Sequence, residues 1–164
     1  MEEFFIKNIQ DVLNNKEKLE KKLNVKLKIY GKKVSFEGDS LNEFESSLVF
    51  EAISFGFSVR IALFLIDEEN SFKVVHIKEH TRRKLKDIVA RLAGTEGKTK
   101  RTLADIADCH IVITDSEVGI IGQVEDVINT ETAIINLIKG SKQGNMYRYL
   151  ERMNRAKKEM PQNN

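Results

Sequence analysis

The tetrad Gly94-Thr95-Glu96-Gly97 limits the folds open to this chain more than any other stretch of it. Before it, Leu85, Ile88, Val89 and Leu92 recur at the spacing of one helical face, and after it Leu103, Ile106 and Ala107 do the same. The runs Lys84 to Ala93 and Lys98 to Asp108 therefore predict two amphipathic helices broken at a G-x-x-G joint. Glycine lacks the Cβ that would hold another backbone away. The second helix then offers free N–H groups and the positive end of its dipole to a phosphate. Such a joint suits close approach of an extended RNA strand.

The frame around the joint is used twice. Lys33-Val34-Ser35-Phe36-Glu37-Gly38 is similar to Glu117-Val118-Gly119-Ile120-Ile121-Gly122, 84 positions later. At the same offset Leu27 and Ile29 fall on Ile111 and Ile113, and Gly56 falls on Gly140. That period exceeds any solenoid repeat and matches a small domain. In the second copy, Phe72 to Lys78 predicts a strand, His110 to Thr114 and Glu117 to Gly122 a hairpin turning at Asp115-Ser116, and Val124 to Ile138 a long helix. The first copy predicts a helix from Lys16 to Leu23, strands from Val25 to Tyr30 and Lys33 to Glu37 turning at Gly31, and a helix from Leu41 to Phe55. Its front is short by about a dozen residues, and no glycine stands near Asn14-Asn15. The class is α+β, two units of order β-α-α-β-β-α, the first truncated and lacking G-x-x-G. The expected division is residues 1–70, 71–140, and a basic C-terminal helix with a frayed tail in 141–164. In the second hairpin Ile111, Val112 and Ile113 run together, as do Ile120 and Ile121, so both sheet faces should be covered.

Charge is arranged in blocks although the net charge is only +2. Lys16 to Lys33 and Thr81 to Arg101 are basic, Glu37 to Glu69 and Asp105 to Glu131 acidic, and Lys139 to Lys158 basic again. Local basic patches can steer nucleic acid whatever the total. A lone Cys109 fits a reducing, cytoplasmic setting. The opening Met1-Glu2-Glu3 is acidic where a signal peptide is basic, and no apolar stretch suits a membrane crossing.

A β-α-α-β-β-α unit with G-x-x-G between its helices resembles the KH domain of type I topology, a module for single-stranded nucleic acid. The likeness extends to Arg91-Leu92-Ala93-Gly94-Thr95-Glu96-Gly97-Lys98-Thr99-Lys100-Arg101, to Ala52 through Leu63, and to Gly140 through Glu151. These blocks resemble the Dim-two, or partner of Nob-one, family of archaeal and eukaryotic ribosome-assembly proteins. The resemblance implies that the first KH domain is degenerate and that the second binds RNA near the 3′ end of small-subunit ribosomal RNA. It also implies two protein partners, the endonuclease Nob and the α subunit of translation initiation factor two. Here Thr95-Glu96 stands where the family often carries a basic residue, and Ala93 where a larger aliphatic is usual.

The expected RNA-binding residues are Arg91, Gly94, Thr95, Glu96, Gly97, Lys98, Lys100 and Arg101, over an apolar floor containing Ile88, Leu92, Ile111 and Ile113. Three cations in the first turn of a helix oppose its dipole, by roughly 0.3–1 kcal/mol each when exposed. A bound anion would offset that. Arg148, Arg152, Arg155, Lys157 and Lys158 could add phosphate contacts or simply solvate a helix anchored by Tyr147 and Leu150. No catalytic centre, cofactor or metal is expected: Leu92 breaks the P-loop pattern, and Cys109, His110, His76 and His80 lack a ligand spacing or nucleophile partner. The alternative is a protein-interaction scaffold with degenerate KH domains and little RNA affinity.

Overall fold

The structure, a computed structural model, describes residues 2–159. The expected fraying at Pro161 and the asparagine-rich end lies outside them. The chain divides into two compact units between Phe72 and Lys73.

The first unit runs β1 (Phe4–Phe5), α1 (Ile9–Asn14), α2 (Lys16–Leu23), β2 (Lys26–Tyr30), β3 (Lys33–Glu37), α3 (Ser40–Phe55) and α4 (Val59–Ala62), then a 3-10 turn at Leu63–Ile66. The sheet order is β1-β3-β2, antiparallel throughout, with Phe4 opposite Val34 and Leu27 opposite Phe36. Phe36 stacks between Phe4 and Phe50, with ring centroids 5.9 and 5.5 Å away, over a core that includes Leu19, Leu23 and Val49. The front of this unit is condensed rather than missing. Sequence periodicity passed over β1 and α1 because two residues show no alternation and six make under two turns. α1 and α2 abut at Asn15, whose side-chain amide donates to the Asp11 carbonyl at 2.7 Å. An asparagine kink thus replaces the glycine joint.

The second unit is built from β4 (Asn70–His76), a 3-10 turn at Ile77–Glu79, α5 (Leu85–Ala93), α6 (Lys98–Ala107), β5 (His110–Ile113), β6 (Glu117–Gln123), α7 (Val124–Ile138) and α8 (Gln143–Glu159). Its sheet order, β4-β6-β5, repeats that of the first unit. Leu92, Leu103, Ile120 and Ile134 are at most 1 % exposed and meet in one core. Burial of that degree is worth roughly 1.5–3 kcal/mol per side chain. β6 is buried on both faces, Val118 and Ile120 on one and Gly119 and Ile121 on the other. α8 packs on α6 and α7 and sinks Met146 and Leu150 into the same core, whereas Tyr147 is half-buried. His80 follows the 3-10 turn and lies ahead of α5, which begins at Leu85.

The duplication holds at atomic detail. Asn24 and Asp108, 84 apart, end α2 and α6 in the same left-handed conformation, φ +53° and +55°. A Cβ on Gly38 would lie 2.9 Å from Val25 Cγ1, and one on Gly122 would lie 2.8 Å from Cys109 Sγ, the residue in register with Val25. In each unit the end of the second hairpin strand passes so close to the residue after the helix cap that a side chain there would press on Val25 or Cys109.

Candidate nucleic-acid interface

The joint is built from its backbone outward. The Gly94 N–H closes α5 on the Ala90 carbonyl at 2.9 Å, and Gly94 then turns to φ +74°, ψ 174°, a region essentially confined to glycine. Thr95–Gly97 form a 3-10 turn in which Glu96 (φ +54°) and Gly97 (φ +75°) are left-handed. Left-handed backbone costs a non-glycine residue roughly 1–2 kcal/mol, so Glu96 is held there by its neighbours.

Read from the sequence, both glycines serve an approaching strand; the structure divides that work. A Cβ at position 94 would fall 2.2 Å from Thr99 Oγ1 and 2.7 Å from both Thr99 Cβ and Thr99 N. Gly94 is therefore required by the protein's own packing of α5 on α6. At Gly97 an added Cβ would meet only Arg101 Nη1, at 3.2 Å. Gly97 keeps the outer side of the joint open.

α6 starts at Gly97 without any side-chain cap, so its opening N–H groups lack the usual acceptor. Lys98 and Arg101 are exposed on that first turn, and Lys100 is half-buried. No ion pair among the described residues includes any of them. Arg101 Nη1 donates to the Glu96 carbonyl at 2.7 Å, holding the guanidinium against the turn. Thr95 and Glu96 are exposed at its tip. Backbone N–H groups, helix dipole and unpaired cations thus converge on one small surface, which can hold a phosphodiester without any acid, base or nucleophile.

Other expected site residues lie elsewhere. The Arg91 guanidinium points inward, donating from Nη1 to the Leu137 carbonyl at 3.2 Å and from Nη2 to the Ser141 carbonyl. It ties α5 to the end of α7 and the link into α8. Ile88, Leu92 and Ile111 are 2, 1 and 5 % exposed and belong to the core. They support the groove from beneath and cannot be its surface. Ile113, with Val89 and Ile106, is half-buried and remains available as apolar floor. Sequence reasoning missed Thr99 and Gln143. Thr99 is buried, and Gln143 Nε2 donates to its hydroxyl at 3.3 Å. The only signal was their place inside the two blocks of likeness, which says nothing of contact across 44 residues.

The remaining reactive side chains have structural surroundings. Cys109 is buried, and burial pushes its thiol up to about 11, against the lowering effect of the Thr130 hydroxyl at 3.4 Å. Such a thiol is not a thiolate at neutral pH. His76 Nδ1 lies 2.9 Å from a Glu117 carboxylate oxygen across the sheet. Among the described residues, no helix is long and apolar enough to cross a membrane.

Comparison with known proteins matches residues 71–155 to the profile of a eukaryotic type KH-domain (KH-domain type I), that of the second domain of PNO1. A KH domain-containing protein of Methanocaldococcus jannaschii is 28 % identical over 85 % of this chain and 65 % of its own length. A pre-rRNA-processing protein PNO1 of Candida albicans is 32 % identical over 59 % of this chain and 37 % of its own. This chain thus spans less than two thirds of the length of these curated relatives. A chain in the crystal structure of an a/eIF2alpha–aDim2p–rRNA complex from Pyrococcus horikoshii superposes with a TM-score of 0.79 at 25 % identity, over 94 % of each chain.

Proposed function

Because this chain belongs to the Dim2/PNO1 family of KH-domain ribosome-assembly proteins, we propose that it is an RNA-binding factor in ribosomal RNA processing, acting near the 3′ end of small-subunit rRNA. Its second unit supplies the RNA seat. One observation carries this reading: α6 opens uncapped and cationic at a joint whose outer face Gly97 leaves free. A single strand laid there would set a phosphate on the first-turn N–H groups, with Lys98 and Arg101 beside it and its bases toward Val89 and Ile113. The a/eIF2alpha–aDim2p–rRNA complex supports RNA and the α subunit of the initiation factor as partners. The endonuclease Nob enters on family likeness alone.

Replacing Thr95 and Glu96 by two aspartates tests the seat. Both positions are exposed, so the fold should survive. Binding of an oligonucleotide carrying the 3′ end of small-subunit rRNA should fall at least tenfold, while a scrambled oligonucleotide binds weakly to either protein. Affinity of the unaltered chain should also fall as salt rises. Unchanged binding in the aspartate variant, with native circular dichroism, would move the RNA seat elsewhere. No RNA binding by the unaltered chain would leave the scaffold reading.

A further inference from the structure

α3 is apolar on two opposite faces. Val49, Phe50 and Ile53 face the core of the first unit, each at most 5 % exposed. Leu41, Phe44 and Leu48, at i, i+3 and i+7, form a second stripe and are 67, 63 and 40 % exposed. A contiguous exposed apolar stripe rimmed by polar residues marks an interaction surface. Beside the stripe a cavity of about 500 Å³ is lined by Glu2, Phe36, Ser40, Glu43, Phe44 and Ser47.

The surrounding charge says what fits. No lysine or arginine occurs between Glu37 and Val59, while Glu45 and Glu51 border the stripe on the helical wheel. Glu2 accepts the Ser47 hydroxyl at 2.9 Å and Glu43 accepts the Gly38 N–H at 3.2 Å, but no ion pair among the described residues neutralises either. Carboxylates repel an RNA backbone and an anionic membrane alike, and two copies of this face would repel each other.

We propose that the outer face of α3 docks a basic amphipathic helix of a partner protein. Two or three aliphatic side chains of that helix would pack along Leu41, Phe44 and Leu48, and a lysine or arginine would enter the cavity with its stem on Phe44 and its charge toward Glu2 and Glu43. Helices recognised this way present anchors at i, i+3 or i+4, and i+7, the spacing this stripe offers in return.

Isothermal titration of the full chain with two designed peptides tests this. One is a 14-residue amphipathic helix of leucine and lysine, the other the same sequence with glutamate for lysine. The lysine peptide should bind saturably at one site and the glutamate peptide at least tenfold more weakly. Leu41→Ser with Phe44→Ser should weaken the lysine peptide at least tenfold while leaving the urea midpoint unchanged, because both side chains are exposed. Glu43→Gln with Glu51→Gln should weaken it and flatten its salt dependence. Equal binding of the two peptides, or lysine-peptide affinity unmoved by the serine variant, would overturn the proposal. So would a dimer in sedimentation equilibrium that the serine variant abolishes, which would assign the face to a second copy. A tenfold loss of single-stranded RNA binding in that variant would assign it to nucleic acid.

Discussion

Gln143, in the first turn of α8, hydrogen-bonds through Nε2 to the hydroxyl of Thr99 at 3.3 Å, and Thr99 in turn fills the space where residue 94 would carry a Cβ. The last helix thereby reaches the glycine joint through one buried side chain. Arg91 makes a parallel link, from the body of α5 to the carbonyls of Leu137 and Ser141. The conformation of the joint and the seating of α8 are set together.

Gly94→Ala should destabilise the second unit by about 2 kcal/mol or more, combining glycine-only dihedrals with a clash against Thr99. Thr99→Ala alone should cost about 1 kcal/mol, through the lost Gln143 bond. It should not rescue the glycine variant, since Thr99 Cβ and Thr99 N would both still lie at 2.7 Å. Urea denaturation of the two single variants and the double variant checks this; full rescue would place the clash in the hydroxyl alone.

Arg91→Gln should lower stability by roughly 1.5–3 kcal/mol, the range for hydrogen bonds to a charged donor. RNA affinity should fall with it, but the slope of log K against log salt should not change, because this guanidinium is bonded to carbonyls and not to phosphate. Lys98→Gln should do the reverse, flattening the slope with little change in stability. Equal slopes for all three proteins would remove Lys98 from the phosphate seat.

At the far end of α8, Lys157 Nζ bonds both oxygens of the buried Asp126 carboxylate, at 3.1 and 2.9 Å. Donating this hydrogen bond to the Asp126 carboxylate raises the Lys157 pKa above its ordinary value of 10.5. A raised lysine stabilises fully below its unfolded pKa and loses that contribution as pH climbs through the folded one. The urea midpoint of the unaltered chain should therefore exceed that of Lys157→Met at pH 7, and the gap should close as pH climbs above 10.5. A gap that stays constant well past pH 10.5 would assign the effect to packing of the lysine stem and not to its charge.

Cys109 should react slowly with iodoacetamide at pH 8 and promptly once the chain is unfolded in guanidinium, because burial both shields the thiol and holds its pKa near 11. Counting alkylated protein by mass spectrometry at timed intervals decides it. Rapid native labelling would mean that β5 opens on the reaction timescale.

The sequence revealed what repeats or recurs with a period. The joint, both hairpins and the long helices α3 and α7 stood out because their apolar spacing persists over several turns or alternates cleanly. β1 and α1 were too short for either signal. The site was legible as a set of backbone positions and cations, but not as a division of roles. Nothing in the string Arg91-Leu92-Ala93-Gly94 tells that Arg91 turns inward while Lys98 stays outside, because that depends on where the end of α7 lies. Ile88, Leu92 and Ile111 read as floor or core with equal justice; only packing against Leu103 and Ile134 puts them beneath the surface.

The asparagine kink at Asn15 gives this chain a comparison standard of its own. The same scaffold occurs here once with a glycine joint and once without, in a single polypeptide made and purified together. Transplanting Gly94-Thr95-Glu96-Gly97 into the position of Asn14-Asn15 would ask whether an RNA seat is a portable part or a property of everything braced behind it. The bonds from Gln143 and Arg91 favour the second answer, because no graft of four residues carries them along.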